Sequence, residues 1–357
     1  MIYAVPPIDG TAQSQLDELG ALRAELGHQT DRPLRWMGTL RRLVRATAVE
    51  SSTSIEGFSV DVEDAVSLVS GDTRPATNDD NQLAVSCYGR AMRHVAAMAA
   101  DPRFCWSERV LLDLHFDACE FQADKDPGLW RRGPVQVTGA GGRIAYSGPH
   151  AADVPDLMAE ATEWLENGDP GTPAVVRAAM AHLHVAAIHP FRDGNGRVAR
   201  IAQSLVLACD GLVSFEFASI EQYLGEHTQD YYDVLELTQG GSYQPERSAR
   251  AWVEFCLAAH IEQAQRRIEQ VSAAARRWSA LETIVEHRSW PDRFVIALEQ
   301  SLIGGADRSR YAREAEVSRA SASADLRRLV DAALLEQRGL GPSSRYMATD
   351  ALHQEVA

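Results

Sequence analysis

The chain has 357 residues, 45% hydrophobic and 24% charged, which excludes a disordered protein and leaves room for two or three domains. A formal net charge of -15 excludes a surface built mainly to coat nucleic acid, although a local basic patch is compatible with it. The five cysteines (Cys87, Cys105, Cys119, Cys209, Cys256) are scattered and form no C-x-x-C pair, which predicts reduced core residues without a disulfide or zinc role.

The opening MIYAVPPIDG lacks the basic-then-apolar order of an export signal. No run approaches the roughly 20 apolar residues of a membrane span, so a cytoplasmic protein without a membrane partner is expected. Trp36, Leu40, Leu43, Val44 and Ala48 recur at three- and four-residue spacing and predict an amphipathic helix running to Ile55 or Glu56. Gly57 then takes the left-handed stop position, and Asp61 caps the next helix. Further helical patterns cover about residues 80–100, 106–121, 153–166, 173–187, 197–209, 229–238 and 246–271. One stretch departs from them: Val135–Val137 and Arg143–Tyr146 flank a glycine-rich turn, the pattern of a β-hairpin. An exposed hairpin edge is also a place where an extended peptide can add as a further strand.

Residues 189–200, HPFRDGNGRVAR, carry the chemistry. The apolar run from Ala174 to Ile188 delivers His189 at a helix end, and Pro190 stops that helix. Asp193-Gly194-Asn195-Gly196 is a turn whose glycines let the backbone approach a ligand closely. Arg197 opens the next helix, whose free amides make an anion site, and Arg200 lies one turn on. A histidine takes a proton near neutrality, and a lone aspartate beside phosphates suits Mg²⁺. Such a set is suited to holding a polyphosphate beside a base.

The dodecamer resembles the Fic family motif, H-x-F-x-[DE]-G-N-G-R-x-x-R, at every fixed position. The resemblance spans about residues 35–260 and implies an all-α, mainly helical core with a small hairpin flap. It implies an enzyme that moves AMP from ATP onto a hydroxyl of a target protein. His189 would then be the general base and Asp193 the metal ligand. Gly194, Asn195 and Gly196 would cradle the phosphates, with Arg197 on the β- or γ-phosphate and Arg200 on the γ-phosphate. The hairpin at 135–146 would register a target Ser, Thr or Tyr. It reads Tyr146-Ser147-Gly148-Pro149 where many relatives carry a proline run. Tyr232 resembles the aromatic that borders the base; a core tyrosine is the equal alternative. Ser52-Thr53-Ser54-Ile55-Glu56-Gly57 fits the family's inhibitory pattern, [ST]-x-x-x-E-[GN], in which Glu56 would pair with Arg200 and keep it from ATP.

The tail reads as a winged helix-turn-helix, with helices at 293–303, 308–317 and 320–335 and a two-stranded wing over 336–346. Its 279–357 stretch holds ten arginines against twelve acids, while 308–345 holds eight against five. Arg319, Arg327, Arg328, Arg338 and Arg345 are the candidate DNA contacts. Packing, a homodimer contact or protein recruitment are the alternatives, which the overall charge favours. The expected domains are an inhibitory N-terminal region (1–78), a Fic core (79–262), a connecting helix (263–278) and the winged helix (279–357). Competing functions are a DNA- or protein-binding regulator that senses nucleotide, or a Fic enzyme that uses another donor or removes AMP.

Overall fold

A computed structural model describes residues 1–30, 34–168, 171–211, 215–339 and 344–356. Helices dominate the first part: α1 (Gly10–Thr30), α2 (Met37–Ser54), α3 (Val62–Ser70), α4 (Asp80–Ala100) and α5 (Glu108–Cys119). A hairpin follows, β1 (Gln136–Thr138) antiparallel to β2 (Ile144–Ser147), with an irregularity between Val137 and Thr138. Then come α6 (Val154–Asn167), α7 (Ala174–Ile188), α8 (Asn195–Asp210), α9 (Phe215–Ala218), α10 (Glu221–Glu226), α11 (Thr228–Gln239) and α12 (Arg250–His287). The chain closes with α13 (Phe294–Leu302), β3 (Ala306–Asp307), α14 (Arg308–Glu314), α15 (Arg319–Asp331), β4 (Leu335–Arg338), β5 (Arg345–Ala348) and α16 (Asp350–Val356).

α7 is the axis of the molecule. From Val175 to Ile188 only Arg177 escapes burial, so its near-continuous apolar run serves all faces of a central helix. It packs against α6, α8 and α12 in one core. α8 turns Ile201 and Leu205 into a second core shared with α3, α4 and α5, while Val198 and Ala202 face the first. This double role fixes the α7–α8 junction, and with it residues 189–194, from both sides.

α2 ends at Ser54, and Gly57 beyond it adopts φ +87°, a left-handed stop. Asp61 caps α3 by accepting from the Asp64 amide at 2.7 Å. The expected connecting helix, 263–278, is part of α12, which runs unbroken through it and beyond 279 to His287. Alanine is the best helix former, so Ala273-Ala274-Ala275 continues the helix rather than ending it. α1 and α16 had no counterpart among the expected helices.

In the C-terminal part the strands form a three-stranded antiparallel sheet, β3-β5-β4, beside α13, α14 and α15. The expected wing turn at residues 340–343 lies outside the described residues. This part shares a core with α2 (Met37, Leu40, Val44) and with Val271, Trp278 and Leu281 of α12. Among the described residues no helix is long and apolar enough to cross a membrane.

Candidate active site

His189 sits at the C-terminus of α7 in a left-handed conformation, φ +52°, ψ +57°, which a non-glycine residue adopts only under constraint. The constraint is visible. Its amide donates to the Val185 carbonyl at 2.9 Å, and its own carbonyl accepts from Arg131 Nε at 2.8 Å. The ring Nδ1 lies 3.0 Å from the Ala186 carbonyl. A carbonyl only accepts, so Nδ1 carries the proton and Nε2 is left as the basic nitrogen. Burial pushes the His189 pKa below its ordinary value, with the Arg131 charge adding to this and the Ala186 bond opposing it.

The loop after His189 is held by its own side chains. Asn195 Oδ1 accepts from the Phe191 amide at 2.8 Å and Nδ2 donates to the Phe191 carbonyl at 2.9 Å. Phe191 is fully buried, stacked on His115 with ring centroids 3.7 Å apart. His115 accepts from the Gly128 amide through Nδ1 and donates to the Asp193 carbonyl through Nε2 at 3.0 Å. Burial holds its pKa down at about 4, so it is a neutral strut. Gly194 takes φ +76°, where an added Cβ would also meet Cys119 Sγ at 2.5 Å. α8 has no side-chain N-cap, so its first-turn amides are open to a ligand, as at other anion-binding helix starts.

His189 and residues 193–196 line a cavity of about 600 Å³ together with the hairpin, Glu56, Arg192, Tyr231 and Tyr232. Asp193 stands on its wall, 38% exposed, held by the Gly194 amide at 2.6 Å and Gln122 Nε2 at 3.2 Å. Neither Arg197 nor Arg200 lines it. Arg197 turns away: its guanidinium donates to Gln122 Oε1 at 2.7 Å and lies 5.7 Å from the Phe58 and Phe121 ring centres. Arg200 is buried just beneath Gly196. Its Nε donates to Ser52 Oγ at 2.6 Å and its Nη2 to Glu56 Oε1 at 2.8 Å, while Nη1 has no partner among the described residues. Burial works most strongly against the Arg200 charge, but the Glu56 carboxylate together with the Tyr231 and Tyr88 hydroxyls raises its pKa. Glu56 reaches this place because Gly196 has no side chain; a Cβ there would stand 2.5 Å from Glu56 Oε1. Tyr232 is 43% exposed on the cavity wall, and its hydroxyl donates to the Ile55 carbonyl at 3.4 Å. The equal alternative of a core tyrosine falls instead on Tyr231, which is buried.

Residues 105–207 match the family model described as the Fic/DOC family. The chain carries a Fic domain. Among curated relatives, the protein adenylyltransferase Fic of Culex quinquefasciatus is 30% identical over 156 residues, which is 43% of this chain and 29% of that one. The corresponding Aedes aegypti protein is 27% identical over 198 residues, 54% of this chain and 37% of that one. This chain therefore spans well under half the length of the curated relatives it matches. A Fic family protein from Desulfovibrio desulfuricans superposes with a TM-score of 0.59 at 22% identity, covering 98% of this chain and 99% of its own. A Fic domain containing signaling protein from Bacteroides thetaiotaomicron gives 0.59 at 19% identity, over 72% and 97%. These structures share the fold of the Fic domain and its helical surroundings.

The motif was legible, but three residues that hold the Fic loop together were not anticipated. Gln122 bridges Asp193 and Arg197 from 71 and 75 residues away. His115 carries Phe191. Arg131, buried, donates to the carbonyls of His189, Gly133 and Pro149 and so ties the loop after α7 to both ends of the hairpin. Of the five tail arginines, Arg319, Arg327, Arg328 and Arg338 are exposed and Arg345 is partly buried. Arg328 lies over the Trp290 and Phe294 rings, Arg338 pairs with Glu336 at 2.7 Å, and Arg345 donates to Thr73 Oγ1 at 3.0 Å. Among the described residues no three His, Cys, Asp or Glu side chains gather as a metal site.

Proposed function

We propose that this protein transfers AMP from ATP to a hydroxyl side chain of a target protein, and that Glu56 holds the activity down by occupying Arg200. One observation carries the reading: a histidine with a free Nε2 and the open first turn of a helix line a single cavity into which Glu56 projects. His189 Nε2 takes the proton of the target hydroxyl. The oxygen then attacks the α-phosphorus, the bond from that phosphorus to the bridging oxygen of the β-phosphate breaks, and pyrophosphate leaves. Charge growing on the leaving phosphates is met by the amides of residues 195 and 196 and by Arg200, once Glu56 has left it. Arg197, enclosed by aromatic rings, contributes positive potential through the loop rather than direct contact. A single half-exposed carboxylate is the donor set that Mg²⁺ accepts when phosphate oxygens and waters fill the rest, so Asp193 is the residue that would hold it. The bound ion would neutralise phosphate charge. Ser52 belongs to the inhibitory contact, since its hydroxyl and carbonyl hold Arg200 in the orientation that faces Glu56.

The test is incorporation of label from ATP radioactive at the α-phosphate. Glu56→Gly should raise labelling of the protein itself or of added protein, by about tenfold if the released ion pair is worth about 1.4 kcal/mol. His189→Ala in that background should abolish it. No labelling by the Glu56→Gly protein would remove the proposal.

A further inference from the structure

A second cavity of about 350 Å³ adjoins the catalytic one and shares Val135 and Arg192 with it. Its wall brings Arg131, Arg132 and Arg192 together with a single carboxylate, Asp126. The chain carries 50 acids against 35 lysines and arginines, so this wall reverses the charge of the molecule as a whole. The three guanidinium groups differ in what they already do. Arg131 is buried and committed to backbone carbonyls. Arg192 is 58% exposed, donates to the Asp124 carbonyl at 3.0 Å and stands 3.7 Å from Asp126, a loose pair that water screens. Arg132 is exposed and has no ion-pair partner among the described residues. Pro134 and Val135 run from this wall directly into β1, so a segment laid along the hairpin crosses from one cavity to the other.

We infer that the second cavity receives an acidic side chain of the target segment, a few residues from the hydroxyl that is modified, with Arg132 and Arg192 as its specificity-determining pair. This rests on the transferase reading and names the class of substrate for that site. A guanidinium fork and a carboxylate match in shape as well as charge, so the contact orients the segment besides binding it. A basic residue at the same place meets two like charges and is rejected. Arg131 acts differently: it fixes the position of the wall relative to His189, and the inference does not require it to touch the target.

The experiment offers the Glu56→Gly protein and labelled ATP to peptides with one central Ser, Thr or Tyr and randomised flanks, and sequences the labelled fraction by mass spectrometry. Asp and Glu should be enriched over Lys and Arg at one flanking position by about tenfold, the usual scale of a charge-assisted contact. Arg132→Ala should flatten that preference, and Arg132→Glu should invert it, while self-labelling continues. Labelled peptides without an acidic preference would overturn the inference. A preference untouched by both substitutions would do the same, as would self-labelling with no peptide labelled. No incorporation into self or peptide would instead strike at the transferase reading, so the two failures are distinguishable.

Discussion

At the α7 terminus, His189 combines two properties that its position forces on it. The left-handed backbone aims the ring out of the helix, and the Ala186 carbonyl fixes which nitrogen is free. Burial lowers its pKa below 6.5, so the ring stays neutral and ready to accept a proton at and above that pH. Initial rates of the Glu56→Gly protein should therefore hold level as pH falls towards 6.5 and decline only below it. An acid limb centred above 6.5 would contradict the assignment. Asn195 offers a different test, because both its bonds stay inside the loop. Asn195→Ala leaves the buried Phe191 amide and carbonyl without partners, which should cost about 1–3 kcal/mol. Denaturant titration should show that loss, and incorporation should fall with it because the loop amides are no longer held in place.

Helices α5 and α7 bury three histidines, and the acids near two of them, Asp193 for His115 and Glu160 for His184, do not offset that burial. Their pKa values are pushed down by burial to about 4 for His115, about 3 for His182 and about 4 for His184, against an ordinary 6.5. An unfolded chain binds those protons from 6.5 downward and the folded one does not until about 4, so stability drains away across that window. Glu221 works in the opposite sense, since burial raises its pKa to about 7 and the folded state binds one extra proton between 7 and 4.5. Three groups against one decide the sign: the melting temperature should drop by several degrees between about pH 7 and about pH 5, as scanning calorimetry would show. An unchanged or rising melting temperature would mean that these rings are hydrated. The elements themselves were unevenly legible. The junction of α7 and α8 could be read because proline, glycines and charges punctuate it within twelve residues. The 38-residue α12 was cut short because its apolar face passes from one core to another near Val271, and a change of packing partner imitates a break in periodicity. Arg197 and Arg200 meet different partners for a related reason. Spacing places two side chains on one helix face, but what they meet there, Gln122 for one and Glu56 for the other, is set by chain segments far away in sequence.

On the scale of the whole molecule, the C-terminal part is packed on the two helices that bracket Glu56. Met37, Leu40 and Val44 of α2 share a core with Phe294, Leu298 and Tyr311. Arg42 of α2 makes two bonds to Glu314 of α14, at 2.8 and 3.3 Å, and Gln300 supports the same carboxylate at 2.7 Å. Arg310 stands 3.3 Å from Asp72, at the far end of α3. If Glu56 restrains the enzyme from α2, the stiffness of α2 is part of that restraint, and loosening its distant end should be felt at Arg200. The Arg42–Glu314 pair is less than one-third exposed on both sides and two-pronged, which puts it near the upper end of surface pairs, about 1 kcal/mol. Arg42→Glu or Glu314→Arg should then raise self-labelling of the otherwise unaltered protein by up to roughly fivefold, about half the level of Glu56→Gly. Exchanging both residues restores the attraction with its ends reversed, so the double variant should fall back towards the parent. That return separates coupling through this contact from general damage to the fold, which a second substitution would only deepen. Equal labelling in all four proteins would show that the C-terminal part leaves the grip of Glu56 on Arg200 unaffected.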